Sequence, residues 1–195
     1  MMDRQETGEA TLLRRVSWLI RHVYQQRIAQ PRRSRRWGDL DKSFVHRARG
    51  GLRFRLQPPE HIDRFIYVEG IYERRFLDLV KSHLPSGAVV IDVGANIGNH
   101  AVYLSDACAE IHCFEPNPTV VERLRENLRL NEIDNAHVHP VGLSDQNAEL
   151  HFAVDHDGNL GASHFVEEPT AGTTRLPVVV GDDYLRAIEV HRVDS

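Results

Sequence analysis

Three acidic residues of this 195-residue chain stand where an α/β protein usually does its chemistry. Each closes, or directly follows, a run that reads as a β-strand: Asp92 in "AVVIDV", Glu115 after "AEIHCF" and Asp145 after "NAHVHPVGLS". In an open α/β sheet a ligand sits beyond the carboxyl ends of the strands. Carboxylates there accept hydrogen bonds from hydroxyls, amines and cationic groups. Between the first two acids lies a turn with Gly94, Asn96 and Gly98. Gly94 removes a side chain where a ligand must approach, and Gly98 lets the following helix start close to the sheet. Asn96 is the non-glycine residue that best tolerates a left-handed conformation.

Two ligand classes compete for a strand–turn–helix of this kind. The dinucleotide fingerprint G-x-G-x-x-G needs glycines at 94, 96 and 99, and the chain has Gly94, Asn96 and Asn99, one match in three. A pyrophosphate beside Asp92 would also be repelled. S-adenosylmethionine brings an ammonium that a strand-end carboxylate accepts, and a carboxylate that suits helix N–H groups. Asp92 therefore favours the sulfonium ligand. Glu115 is placed to receive both ribose hydroxyls, a role that suits either ligand. Pro116 and Asn117 are expected against the adenine face. Ser144 and Asp145 are expected at the adenine edge, with Asp145 accepting from the exocyclic amine.

The elements around these residues follow from periodicity. "AVVID" is continuously apolar, as a strand covered on both faces requires. "AEIHCF" is a second strand, and "NPTVVERLRENLRLN" is a helix with Asn117 as N-cap, Pro118 in its first turn and a stripe of Val120, Val121, Leu124 and Leu128. "NAHVHPVGLS" is a third strand. This alternation predicts parallel βαβ units in an α/β three-layer sandwich. Upstream, residues 44–57 read as a hairpin turning at Gly50 and Gly51, and residues 69–83 as an amphipathic helix burying Ile71, Phe76, Leu79 and Val80. Downstream, "AELHFAV" and "RLPVVV" are strands joined by a polar loop, and "GDDYLRAIEVH" begins a last helix.

Composition bounds the rest. Residues 1–60 carry 14 Lys and Arg against 6 Asp and Glu, while the remainder carries 10 against 22, so a basic arm precedes an acidic domain. The arm, residues 1–43, is expected to hold a helix over about 11–30 and a basic linker; residues 44–195 form the main domain. The helix suits docking on its own domain, and its basic strip suits a membrane surface or a partner protein. Nucleic-acid binding is not expected of the acidic main domain. With two cysteines, no long apolar run and no signal layout, the expectation is a cytoplasmic protein with reduced thiols.

These residues resemble the FkbM family of S-adenosylmethionine-dependent methyltransferases, over about residues 65–187. The resemblance rests on "GIYERRFLDLV", "VVIDVGANIGNHAVYLS", "CFEPNP", "ENLRLNEIDNAHVHPVGLSD" and "LPVVVGDDYL", in that order. It implies a Rossmann-like class I methyltransferase fold and methyl transfer, commonly to a hydroxyl of a sugar or a secondary metabolite. It implies cofactor roles for Asp92, Gly94, Asn96, Gly98, Glu115 and Asp145. It also places Tyr72 and Glu73, the family's "YE", at the cofactor's methionine end. In that family the segment resembling "DDYLRAIEVHRVDS" leads into a fourth strand beside the first, and this sequence stops there. The expectation is a sheet lacking its fourth strand onward, in a C-terminally truncated chain.

A hydroxyl acceptor needs a proton acceptor as well. His156 and His164 in the polar loop are the candidates, but no spacing singles them out and no catalytic residue is assigned. His137 and His139 point to one face of a strand; with no third ligand evident, no metal is expected. The alternatives to a methyltransferase are a catalytically inactive, cofactor-binding remnant and a nicotinamide-dependent oxidoreductase.

Overall fold

The computed structural model describes Trp37, Leu40 and residues 42–193 apart from 49, 59, 154–162, 167–172, 191 and 192. The expected N-terminal helix and His156 lie outside the described residues. The chain divides into two compact units, Met1–Asp39 and Leu40–Ser195. The second unit carries every element below.

Its centre is a parallel sheet of β3 (Val89–Val93), β4 (Glu110–Phe114) and β5 (Ala136–His139), in that order, so β3 has a strand neighbour on one side only among the described residues. Two helical crossovers make the parallel pairing possible. Helix α3 (Asn99–Leu104) links β3 to β4, and α4 (Pro118–Leu130) links β4 to β5. Helix α4 forms as its sequence dictates: the Asn117 side chain accepts from the Thr119 N–H at 3.1 Å, and Pro118 opens the first turn. The stripe of Val120, Val121, Leu124 and Leu128 is buried, each side chain contributing roughly 1.5–3 kcal/mol.

The hairpin of β1 (Phe44–Arg47) and β2 (Arg53–Leu56) pairs in register from Phe44–Leu56 to Arg47–Arg53, with Gly50 and Gly51 both at positive φ in its turn. Instead of a third strand, β2 meets asparagines of α4. Asn127 Oδ1 accepts from the Arg55 N–H at 2.7 Å, and Asn131 Oδ1 accepts from the Arg53 N–H at 2.8 Å. Asn127 is fully buried, and its amide also donates to the Ile97 carbonyl at 2.8 Å, tying hairpin, helix and glycine turn together. A buried Asp63–Arg123 ion pair joins α1 (His61–Glu69) to α4.

Three expectations are corrected. Residues 69–83 are not one helix: the chain turns at Gly70 (φ 98°) and at left-handed Glu73, and α2 spans Arg74–His83. Leu77 is its buried residue, while Phe76 and Leu79 are 52% and 58% exposed, so the apolar stripe faces elsewhere than periodicity implied. The third strand is two. Pro140 has no N–H to continue the ladder, and the chain breaks between β5 and β6 (Gly142–Ser144), which joins a different sheet. That sheet, in the order β6, β9 (Thr173–Val180), β7 (Ala148–Ala153) and β8 (His164–Val166), is mixed: β6 runs parallel to β9, and β7 antiparallel to both β9 and β8. β8 was not expected; it lies within the loop read as polar. Helix α5 (Gly181–Ala187) follows β9.

Candidate functional site

The crevice is built where β3 and β4 end. Gly94 and Ala95 donate their N–H groups to the Phe114 carbonyl at 2.9 and 3.0 Å, folding the turn over the end of β4. Three residues of the turn are left-handed: Gly94 (φ 74°), Asn96 (φ 48°) and Gly98 (φ 83°). Asn96 takes the conformation for which it was singled out, and its side chain accepts from the Ile97 N–H at 2.7 Å. A Cβ placed on Gly94 would meet open space, as a ligand cradle requires. Gly98 differs: a Cβ there would run into the Leu124 Cδ1 methyl. Its left-handed backbone strains any side chain, and the Leu124 side chain of α4 fills the adjoining space.

Glu115 is buried and held from two sides. Its Oε2 accepts from the Asn96 N–H at 3.1 Å and its Oε1 from the Asn117 N–H at 2.9 Å. Burial raises its pKa above the ordinary carboxylate value, against the pull of these two N–H groups. A carboxylate has about four acceptor positions, so two remain for hydroxyl donors. Asn117 is also buried, and its side-chain oxygen is committed to capping α4; Pro116 is half-buried. Ser144 ends β6 in the second sheet and Asp145 directly follows it; Ser144 Oγ donates to Asp145 Oδ1 at 3.2 Å, and Asp145 is exposed.

Asp92 is 9% exposed at its side chain. Its Oδ1 lies 3.4 Å from His100 Nδ1, while its buried Oδ2 has no hydrogen-bond partner among the described residues. His100 Nε2 in turn lies 3.5 Å from Glu73 Oε2, so one imidazole bridges two acids. Burial alone would lower the His100 pKa; the hydrogen bonds and charges of Asp92 and Glu73 outweigh it and raise it to about 9. Sequence reasoning missed this bridge. It also missed what positions Glu73: Asn99 accepts from the Tyr72 N–H at 3.0 Å and donates to the Tyr72 carbonyl at 2.9 Å, pinning the segment before α2 to the start of α3. Asparagine at the first residue of a helix, where a dinucleotide site has glycine, was the available signal.

The crevice thus brings together Glu73, Asp92, Gly94, Asn96, His100 and Glu115, residues from three separate stretches of the sequence. The arrangement is anionic, with Asp92 Oδ2 buried and open space over Gly94. The sequence profile described as the methyltransferase FkbM domain matches residues 92–195, more than half of the chain. The chain belongs to the FkbM methyltransferase family. Among similar proteins, the AMB antimetabolite synthetase AmbE of Pseudomonas aeruginosa is 33% identical over 118 residues, covering 60% of this chain and 5% of AmbE. The hexuronic acid methyltransferase AglP of Haloferax volcanii is 30% identical over 140 residues, 71% of this chain and 55% of AglP. The 2-O-methyltransferase NoeI of Sinorhizobium fredii is 32% identical over 91 residues, 46% of this chain and 35% of NoeI. The FkbM chain described here therefore spans about half of AglP and a small part of AmbE. A crystal structure of TYW2 from P. horikoshii in complex with MeSAdo aligns with 53% of this chain and 37% of its own, with a TM-score of 0.42 and 18% identity.

The FkbM domain is a methyltransferase domain with a Rossmann-like α/β fold. A cavity of about 410 Å³ opens elsewhere, between the hairpin turn, α2 and α3, lined by Gly50, Ile71, Lys81, Tyr103 and Asp106 among others. It shares no residue with the crevice. Among the described residues no helix is long and apolar enough to cross a membrane.

Proposed function

We propose that the FkbM domain binds S-adenosylmethionine over the carboxyl ends of β3 and β4 and passes its methyl group to a hydroxyl of a sugar or a secondary metabolite. The observation that carries this reading is the buried Oδ2 of Asp92, unpaired among the described residues, next to a glycine with open space above it. A buried acceptor left unsatisfied costs roughly 1–3 kcal/mol. The cofactor's ammonium relieves that cost, whereas a dinucleotide phosphate would add repulsion. Glu115 keeps acceptor capacity for the ribose hydroxyls, held in place by the two N–H groups on its other positions. Pro116 faces the adenine, and Asp145 accepts from its amine. Glu73 borders the methionine end.

S-adenosylmethionine supplies a methyl group already activated by the sulfonium. The chain's own task is alignment and exclusion of water, and orientation of this kind can lower a barrier by up to roughly 7–11 kcal/mol. His100 is not the base: a histidine raised to about 9 is protonated near neutrality and cannot take a hydroxyl proton. Its part is to balance the paired charges of Asp92 and Glu73. The names of AglP and NoeI, a hexuronic acid methyltransferase and a 2-O-methyltransferase, support a sugar hydroxyl as acceptor.

Isothermal calorimetry of the full chain with S-adenosylhomocysteine and with NADH tests the reading. Saturable binding of the first and none of the second is the expected result, with Asp92→Asn weakening it. Binding of NADH alone would overturn it. Once binding is seen, incubation with methyl-labelled cofactor and a panel of glycosides identifies the acceptor.

A further inference from the structure

The face of the parallel sheet opposite Asp92 carries a second cluster of side chains that methyl transfer does not use. β4 and β5 pair with His112 beside His137 and Phe114 beside His139. Because side chains alternate along a strand, Glu110, His112, Phe114, His137 and His139 all project from one face. The rings stack: His112 lies 4.9 Å from His137 at 24° and 5.3 Å from His139 at 14°, and Phe114 lies 4.6 Å from His139.

We propose that Glu110, His112 and His137 form a binding site for a divalent transition metal of the zinc class, clamping β4 to β5. Glu110 Oε2 is 3.3 Å from His112 Nε2 and 3.8 Å from His137 Nε2, and one ligand atom from each residue falls within 4.8 Å of the other two. Donors bonded tetrahedrally at roughly 2.0–2.1 Å stand about 3.3 Å from one another, so small movements of two half-exposed side chains complete the set. Two imidazoles and one carboxylate select zinc, cobalt, nickel or copper over magnesium or calcium, which prefer all-oxygen shells. The fourth position is open to water, since Glu110 and His137 are about half-exposed.

The surroundings support the same reading. His112 is buried, and its Nδ1 lies 3.0 Å from His139 Nε2, while His139 Nδ1 lies 3.2 Å from the Tyr184 hydroxyl on α5. A ligating histidine commonly has its other nitrogen engaged in this way, which fixes the ring's orientation and directs the free nitrogen at the metal. Here that free nitrogen is Nε2, the one facing Glu110. The site is a clamp rather than part of the transfer chemistry. Glu110 opens β4 and Glu115 follows its end, and at about 3.3 Å per residue the two lie roughly 16 Å apart, at opposite ends of the strand.

The test uses the full, untagged chain, stripped with a chelator and titrated with zinc chloride in calorimetry, with magnesium chloride as control. One zinc per chain, no magnesium binding, and at least tenfold weaker zinc binding in both His137→Ala and Glu110→Gln is the expected result. These residues are half-exposed, so the variants are expected to keep the fold, and circular dichroism without metal verifies that. Zinc should also raise the melting temperature of the wild-type chain and not of the variants. No saturable zinc binding, or unchanged affinity in folded His137→Ala, would overturn the site. Binding of S-adenosylhomocysteine is read separately, and neither result depends on the other.

Discussion

Two histidines, one on helix α3 beside the crevice and one on strand β5, are held in opposite charge states. His100, on α3 beside the crevice, lies 3.4 and 3.5 Å from two carboxylates and is raised to about 9. His139, on β5, is stacked on Phe114 with His112 and Tyr184 for polar neighbours, and burial, followed by its neighbouring histidines, lowers it to about 4. Both histidines lose solvent; only His100 gains carboxylates within hydrogen-bond reach. The residue type therefore says little about protonation, and what lies within hydrogen-bond reach decides it. The crevice is arranged for charge, with carboxylates aimed by backbone N–H groups. The ring stack is arranged for neutral nitrogen and for packing.

The largest expected effect comes from breaking the turn that holds the charged side. Gly98→Val forces a β-branched residue into φ 83° and against Leu124, and should cost about 3–4 kcal/mol. Urea denaturation measures it, and a loss below about 1 kcal/mol would show that α4 yields. Next, Glu115→Gln removes the charge while keeping the shape. Its loss of charge-assisted hydrogen bonds, worth roughly 1.5–3 kcal/mol, should weaken S-adenosylhomocysteine binding about 10- to 100-fold in calorimetry.

The third prediction isolates His100. Its pKa in the folded chain is raised from the ordinary 6.5 to about 9. The folded state thus holds a proton that the unfolded state releases first. The stability this contributes is fully present below about pH 6.5 and is lost as the pH rises through about 9. With solvent reaching 31% of the side chain, roughly 1–2 kcal/mol is expected. Comparison of wild type with His100→Gln by denaturation at pH 6.5 and 9.5 should show the wild type losing that much more. Equal losses would separate His100 from the two acids. The smallest effect belongs to Asp145→Asn. At an exposed position it should leave stability within about 0.5 kcal/mol while weakening S-adenosylhomocysteine binding a few-fold, an outcome read by the same calorimetry.

Much of the local structure around the crevice was legible in the sequence. Asn96 in a left-handed turn, Asn117 capping α4, the buried stripe of Val120, Val121, Leu124 and Leu128, and the hairpin at Gly50 and Gly51 all follow from residues no more than a few positions apart. Each depends on backbone chemistry or a helical repeat, which a linear sequence displays directly. The reading failed where the deciding partner is remote. Periodicity put Phe76 and Leu79 inside, yet Leu77 is the residue that the rest of the fold covers. "NAHVHPVGLS" reads as one strand because its composition is uniform, and only the competition between two sheets for its halves makes Pro140 a break.

The sequence by itself determined the strand–turn–helix around Asp92, the placement of Glu115 at the next strand end and the family to which the chain belongs, because these rest on local spacing. Only the tertiary structure decided that Asp92, His100 and Glu73 share charge, that Leu124 packs against Gly98, and that Glu110 and His112 stand beside His137. The physical reason is one of range. Side-chain direction along a strand or helix repeats within four residues and can be read off the chain, whereas which two strands lie side by side, and in what register, is settled by burial summed over the whole domain.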